Sequence, residues 1–130
     1  MKKKKNVLIV TDGISGTRKM ASDIAETLKG NKVLIKTASE FEGNDILPVD
    51  VFFLGCENPA PESFAYITDL LKHINLAGRL CGVFSPGTKK AAGYLAGLVK
   101  DCEAALNPEL LAGTSSGIKT WAQNVIAGSF

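Results

Sequence analysis

The chain has few of the residues that most reaction chemistry uses. It holds one histidine, His73, one tryptophan, and three cysteines, Cys56, Cys81 and Cys102, which stand far apart with no Cys-x-x-Cys pair. Zinc sites need soft ligands clustered at short spacing, so that class is excluded. No Ser-His-Asp set and no carboxylate pair points to hydrolysis. An odd cysteine count at wide spacing suits free thiols in a reducing compartment. No stretch approaches the ~20 apolar residues that a bilayer-spanning helix needs. The formal charge is only +2, and no basic stripe interleaved with aromatics occurs, which argues against nucleic acid as a partner. Four lysines crowd the start, Lys2 to Lys5. The apolar run behind them, Val7 to Val10, is too short for a signal-peptide core, so residues 1–5 read as a frayed, solvated lead into a buried strand. These absences together predict a cytoplasmic protein with no membrane contact.

What the chain does have is core. Its 130 residues are 45% hydrophobic and 22% charged, the composition of an ordinary globular domain, and residues 1–130 read as one unit without repeat or linker. Residues 6–10 (NVLIV) form an unbroken apolar run ended by Thr11-Asp12-Gly13, the signature of a strand buried on both faces. From Gly16 to Lys29 the period changes: Met20, Ile24 and Leu28 lie four apart while Arg18, Asp23 and Glu26 face away, which predicts a helix. Residues 32–37 alternate as a strand nearer an edge. Residues 50–54 form another buried strand, and 57–61 a proline-bearing loop. The spacing predicts a helix over 62–74, a strand over 80–84, a helix from about Tyr94 to Leu106, a weak strand at 110–112, and a last helix over 118–126 packed by Trp121. Such regular alternation implies right-handed crossovers, hence a parallel sheet with helices on both faces.

Ligands of open parallel sheets sit outside the carboxyl ends of the strands. Three loops with special composition leave such ends: Thr11–Thr17, Gly55–Pro61 and Ser85–Gly93. The first is the most informative. Gly13 and Gly16 allow a sharp turn and close approach, Thr11, Ser15 and Thr17 bring hydroxyls, and the loop runs straight into a helix, whose free N–H groups favour an anion such as phosphate. Ser15 or Thr17 acting only as a helix cap is the simpler alternative, and Asp12 places a carboxylate beside any bound anion. The spacing fits neither a P-loop nor a dinucleotide fingerprint, because only two residues separate Gly13 from Gly16. A phospho-receiver site is excluded too, because the third strand ends in Gly55-Cys56 rather than an aspartate.

Residues 10–21, VTDGISGTRKMA, resemble the FMN phosphate loop and first helix of the flavodoxin family. Residues 50–55, DVFFLG, are similar to its third strand, and residues 76–84, LAGRLCGVF, to the segment opening its fourth. The resemblance covers most of the chain in the right order. It implies a flavodoxin-like three-layer α/β/α sandwich with a five-stranded parallel sheet in the order 2-1-3-4-5. It also implies FMN, with the phosphate held by Thr11, Asp12, Gly13, Ile14, Ser15, Gly16 and Thr17. The ring would then lie between Cys56, Glu57, Asn58 and Pro59 of the second loop and Ser85, Pro86, Gly87 and Thr88 of the third. Aligned on Thr17, Asp12 and Ile14 stand where the family has hydroxyl residues. The second loop lacks the family's aromatic, and Tyr94 is the stacking candidate of the third. Lys89 and Lys90, beside the ring, would stabilise its reduced anionic form and raise its potential. The expected role is an FMN-binding electron carrier, a monomer or weak dimer, serving redox partner proteins and doing no substrate chemistry of its own. A flavodoxin fold that has lost flavin and a small FMN-dependent reductase are the alternatives.

Overall fold

The computed structural model describes residues 4–113 and 117–128. Its strands are β1 (Asn6–Thr11), β2 (Lys32–Thr37), β3 (Val51–Gly55), β4 (Leu80–Ser85), β5 (Ala105–Leu106) and β6 (Leu111–Ala112). Its helices are α1 (Ser15–Thr27), the single turn α2 (Gly43–Ile46), α3 (Ala65–His73), α4 (Lys89–Cys102) and α5 (Ile118–Ala127), with a 3-10 turn over Glu62–Phe64 leading into α3. The strands pair in the order β2-β1-β3-β4-β5, and every pairing is parallel. This is the expected 2-1-3-4-5 sheet.

The strands explain the layers. Side chains alternate across a sheet, and here both alternating sets are apolar. Leu8, Val10, Phe52, Leu54, Cys81 and Val83 enter one buried cluster with Ile67 and Leu71 of α3 and Leu95 and Val99 of α4. Val7, Ile9, Val51, Phe53 and Phe84 enter the other, with Met20 and Ile24 of α1 and Trp121 and Val125 of α5. Two cores flank one sheet, so the continuous apolar runs of β1 and β3 are needed on both sides. Trp121 packs edge-on against Phe53 and Phe84, with ring centroids 5.5 and 6.4 Å apart. β2 is the exception: as an edge strand it leaves Leu34 and Ile35 half exposed, and its lysines blunt the open edge.

Three expectations need correction. The helix expected to reach Leu106 stops at Cys102, where Glu103 takes a left-handed conformation (φ 65°) and caps it. Ala105 and Leu106 then join the sheet, because β4 has an open edge there to which the Ala105 and Asn107 N–H groups donate. The fifth strand is therefore split: β5 pairs with Leu80 and Cys81, and β6 with Phe84 and Ser85. Between them the chain loops out, and the Trp121 indole N–H donates to the Glu109 carbonyl at 2.8 Å. Finally, Lys5, expected within the frayed lead, is held in place. The Lys5 backbone N–H donates to Asn31 Oδ1 at 3.1 Å, and its ammonium donates to the Ile126 carbonyl. Residues 1–3 of that lead lie outside the described residues.

Candidate functional site

The carboxyl ends of β1, β3 and β4 bring the three loops to one edge of the sheet. The order reverses at β1, whose neighbours are β2 and β3, so the crevice of an open sheet falls beside the ends of β1 and β3. Thr11 closes β1 with a buried side chain, and its Oγ1 accepts the Gly13 N–H at 3.2 Å. Gly13 has φ 85°, a conformation that costs glycine little and other residues much. Asp12 sits between them with both carboxylate oxygens engaged. Oδ1 accepts the Ile14 N–H at 3.0 Å, and Oδ2 accepts the Glu57 N–H at 2.8 Å. The second bond spans the crevice and ties the first loop to the second.

α1 begins directly after this turn. Its cap position is Ile14, which has no side-chain acceptor, and its first turn carries no acidic residue. The first N–H groups of the helix therefore meet neither a capping side chain nor a neutralising carboxylate. Thr17, in that first turn, is fully buried, and its hydroxyl is the one buried side-chain polar atom without a partner among the described residues. Unpaired buried hydroxyls are costly and rare, and this one belongs to an uncapped helix start. Ile14 is 38% exposed and Ser15 is exposed at the same rim. A groove of about 450 Å³ adjoins the loop on the β2 side, lined by Thr11, Arg18, Ser22, Thr37 and Glu40 among others. Hydrogen bonds from the Thr37 backbone and hydroxyl, with smaller help from Lys36 and Arg18, hold the Glu40 carboxyl below its ordinary value.

The third loop is built differently. Ser85 is buried at the end of β4; its Oγ accepts the N–H groups of Gly87 and Thr88 at 3.1 and 3.3 Å and donates to the Glu57 carbonyl at 3.4 Å. Thr88 caps α4 by accepting the Ala91 N–H at 3.1 Å. Gly87 passes so close to the second loop that a Cβ there would lie 2.6 Å from the Glu57 carbonyl oxygen, and a Cβ on Gly16 would touch Pro86 at 3.5 Å. The three loops thus meet around Glu57 and Pro86.

Two side chains expected at the site have partners in the layer of α3 and α4. Cys56 is buried among the residues under α3 and α4, and burial, with the Asp12 carboxylate adding to it, pushes its thiol up to about 12. It is an inert core thiol at neutral pH. Tyr94 lies on α4 with its hydroxyl 3.1 Å from that of Thr68 on α3, in a hydrogen bond that either can donate. Glu57 and the exposed Asn58 and Pro59 form a second loop with no aromatic. Reading the sequence missed Arg18, Thr37 and Glu40 as neighbours of the first loop, because Arg18 shows only as the outward face of a helix, Thr37 ends an edge strand and Glu40 follows it. The pairing of β1 with β2 brings them together.

Among the described residues no helix is long and apolar enough to cross a membrane, and no group of three or more histidine, cysteine or acidic residues is arranged to hold a metal. No protein-family model matches the chain, and no curated protein matches it. Solved structures do. Oxidised Flavodoxin 2 from Bacillus cereus superposes with a TM-score of 0.82 at 21% identity, over 96% of this chain and 99% of that one. The flavodoxin of Streptococcus pneumonia TIGR4 gives 0.81 at 17% identity over 95% and 98%. A Fusobacterium nucleatum flavodoxin bound to flavin mononucleotide gives 0.78 at 14% identity over 97% and 99%. With its sheet order and whole-length superposition, this chain has the flavodoxin-like fold.

Proposed function

We propose that the chain is an FMN-binding electron carrier. One observation carries the reading: α1 starts without a cap or an acidic first turn and with the partnerless Thr17 hydroxyl, at the loop where the sheet order reverses. That is the chemistry of an anion site at a helix N-terminus. The first turn of α1, Ser15 to Thr17, would hold the phosphate. The backbones of Glu57 to Pro59 and of Ser85 to Thr88 would flank the ring. When bound, FMN supplies the electron-carrying chemistry, and the chain orients it and tunes its potential. Thr11 and Ser85 act indirectly, because their hydroxyls accept N–H groups of their own loops. Free thiols at all three cysteines support a reducing compartment, the cytoplasm, and the partners of such a carrier are redox proteins that meet it as a monomer or weak dimer.

The second reading is a flavodoxin-like module that works without flavin. Asp12 favours it, because it places a carboxylate in the phosphate loop, and so does the second loop, which has no aromatic. Titrating the purified chain with FMN separates the two. The carrier quenches FMN fluorescence with one-to-one saturation and holds the yellow oxidised spectrum through gel filtration. Absence of quenching at millimolar FMN would leave only the flavin-free module.

A further inference from the structure

We infer that Asp12 is a specificity-determining residue that lowers the preference of this rim for a flavin carrying a phosphate over the same flavin without one. The inference rests on the flavin reading above. A phosphate bound at the start of α1 seeks the N–H donors of the first loop and first turn. Asp12 is an anion already seated in that loop: it accepts the Ile14 N–H at 3.0 Å and the Glu57 N–H at 2.8 Å. The loop therefore has two ends of opposite character. The α1 end, with no capping side chain, no acidic residue in its first turn and the buried Thr17 hydroxyl unpartnered, attracts an anion. The Asp12 end repels one, and the partly buried setting of its bond to the Glu57 N–H weakens the screening that water gives exposed charges. A flavin without phosphate feels neither end. The balance between the two ligands is accordingly set by the charge at position 12.

Asp12 also ties the first loop to the second, so replacing it loosens the crevice. That effect falls on both ligands alike, and the ratio of their affinities isolates the charge. Binding of FMN and of riboflavin is measured by fluorescence quenching for the full chain and for Asp12→Asn, Asp12→Ser and Asp12→Glu. Circular dichroism identifies the folded variants. Asn keeps an acceptor for the Ile14 N–H, and Ser removes the amide that would face the Glu57 N–H. The expected result is a preference for FMN over riboflavin that rises about tenfold in Asn and Ser and stays at the parent value in Glu. An unchanged ratio in a folded, uncharged variant overturns the inference and leaves flavin binding intact. Failure of the parent and every variant to quench either flavin overturns the flavin reading and this inference with it.

Discussion

At the scale of single residues, burial separates the reactive from the inert. Cys56 lies at a strand end on the rim of loops, where a thiol would attract attention, yet its side chain is buried in the core below α3 and α4. Its folded value, about 12, stands above the ordinary value of 9.0, and the thiols of Cys81 and Cys102 are raised by burial too. The sign of the pH dependence follows. A buried thiol held neutral contributes its full stability below the unfolded value, and that contribution is lost as pH rises from about 9 toward 12, because the unfolded chain releases the protons first. Urea midpoints measured from pH 7 to pH 11 are therefore expected to hold level to about pH 9 and fall beyond it, and a thiol reagent at pH 8 to label the folded protein far more slowly than the unfolded one. The glycine at the end of β3 obeys the same close packing: a Cβ on Gly55 would lie 2.3 Å from the Phe84 ring, so no other residue fits between the first two loops and the sheet without moving that ring.

Elements differ in how their ends are finished, and the difference divides structure from function. α4 is closed by Thr88, whose hydroxyl takes the Ala91 N–H, whereas α1 starts at Ile14 with no such bond. A cap of this kind contributes roughly 1 kcal/mol. Thr88→Ala is expected to lower the unfolding free energy by about that amount in a urea titration, with FMN affinity changed only modestly because the α1 end is untouched. At the far edge, β2 pairs with β1 on one side only, and Lys32 and Lys36 blunt its open side. The Lys36 ammonium also reaches Asp45 of α2 at 3.0 Å, pinning the connection from β2 to β3. The last strand shows the opposite economy: two residues in β5 and two in β6 suffice because β4 supplies the register and Trp121 anchors the loop between them.

The molecule as a whole sets the electrical environment of the rim. Lys89 and Lys90 open α4 and are exposed, next to the third loop, while Arg18 and Lys19 extend from the first. These cations surround the edge at which a flavin would gain negative charge on reduction. Neutralising Lys89 and Lys90 together with glutamine is expected to make the midpoint potential of the bound flavin more negative, by about 10–30 mV for exposed charges in water. Redox titration of both proteins checks it, and an unchanged or higher potential would place the ring away from α4.

Much of this was legible in order of residues alone. Continuous apolar runs in β1 and β3 specify strands buried on both faces, the four-residue spacing in α1 specifies a helix, and their alternation specifies a parallel sheet. The first loop was legible as a tight strand-to-helix turn from its glycines, hydroxyls and following helix. Residues 103–112 were not, because pieces of two residues carry no period and their strand character comes from the open edge of β4. Nor was the fate of Cys56, Tyr94 and Asp12. Each side chain has two neighbourhoods available at a strand end or helix face, and only the packing of α3 and α4 and the approach of the second loop select one. Sequence by itself determined the long strands and helices and the edge at which their loops lie, since periodicity and breakers act locally. Tertiary structure decided which polar groups on that edge stay free and which are already bonded, since those partners lie up to 45 residues away along the chain.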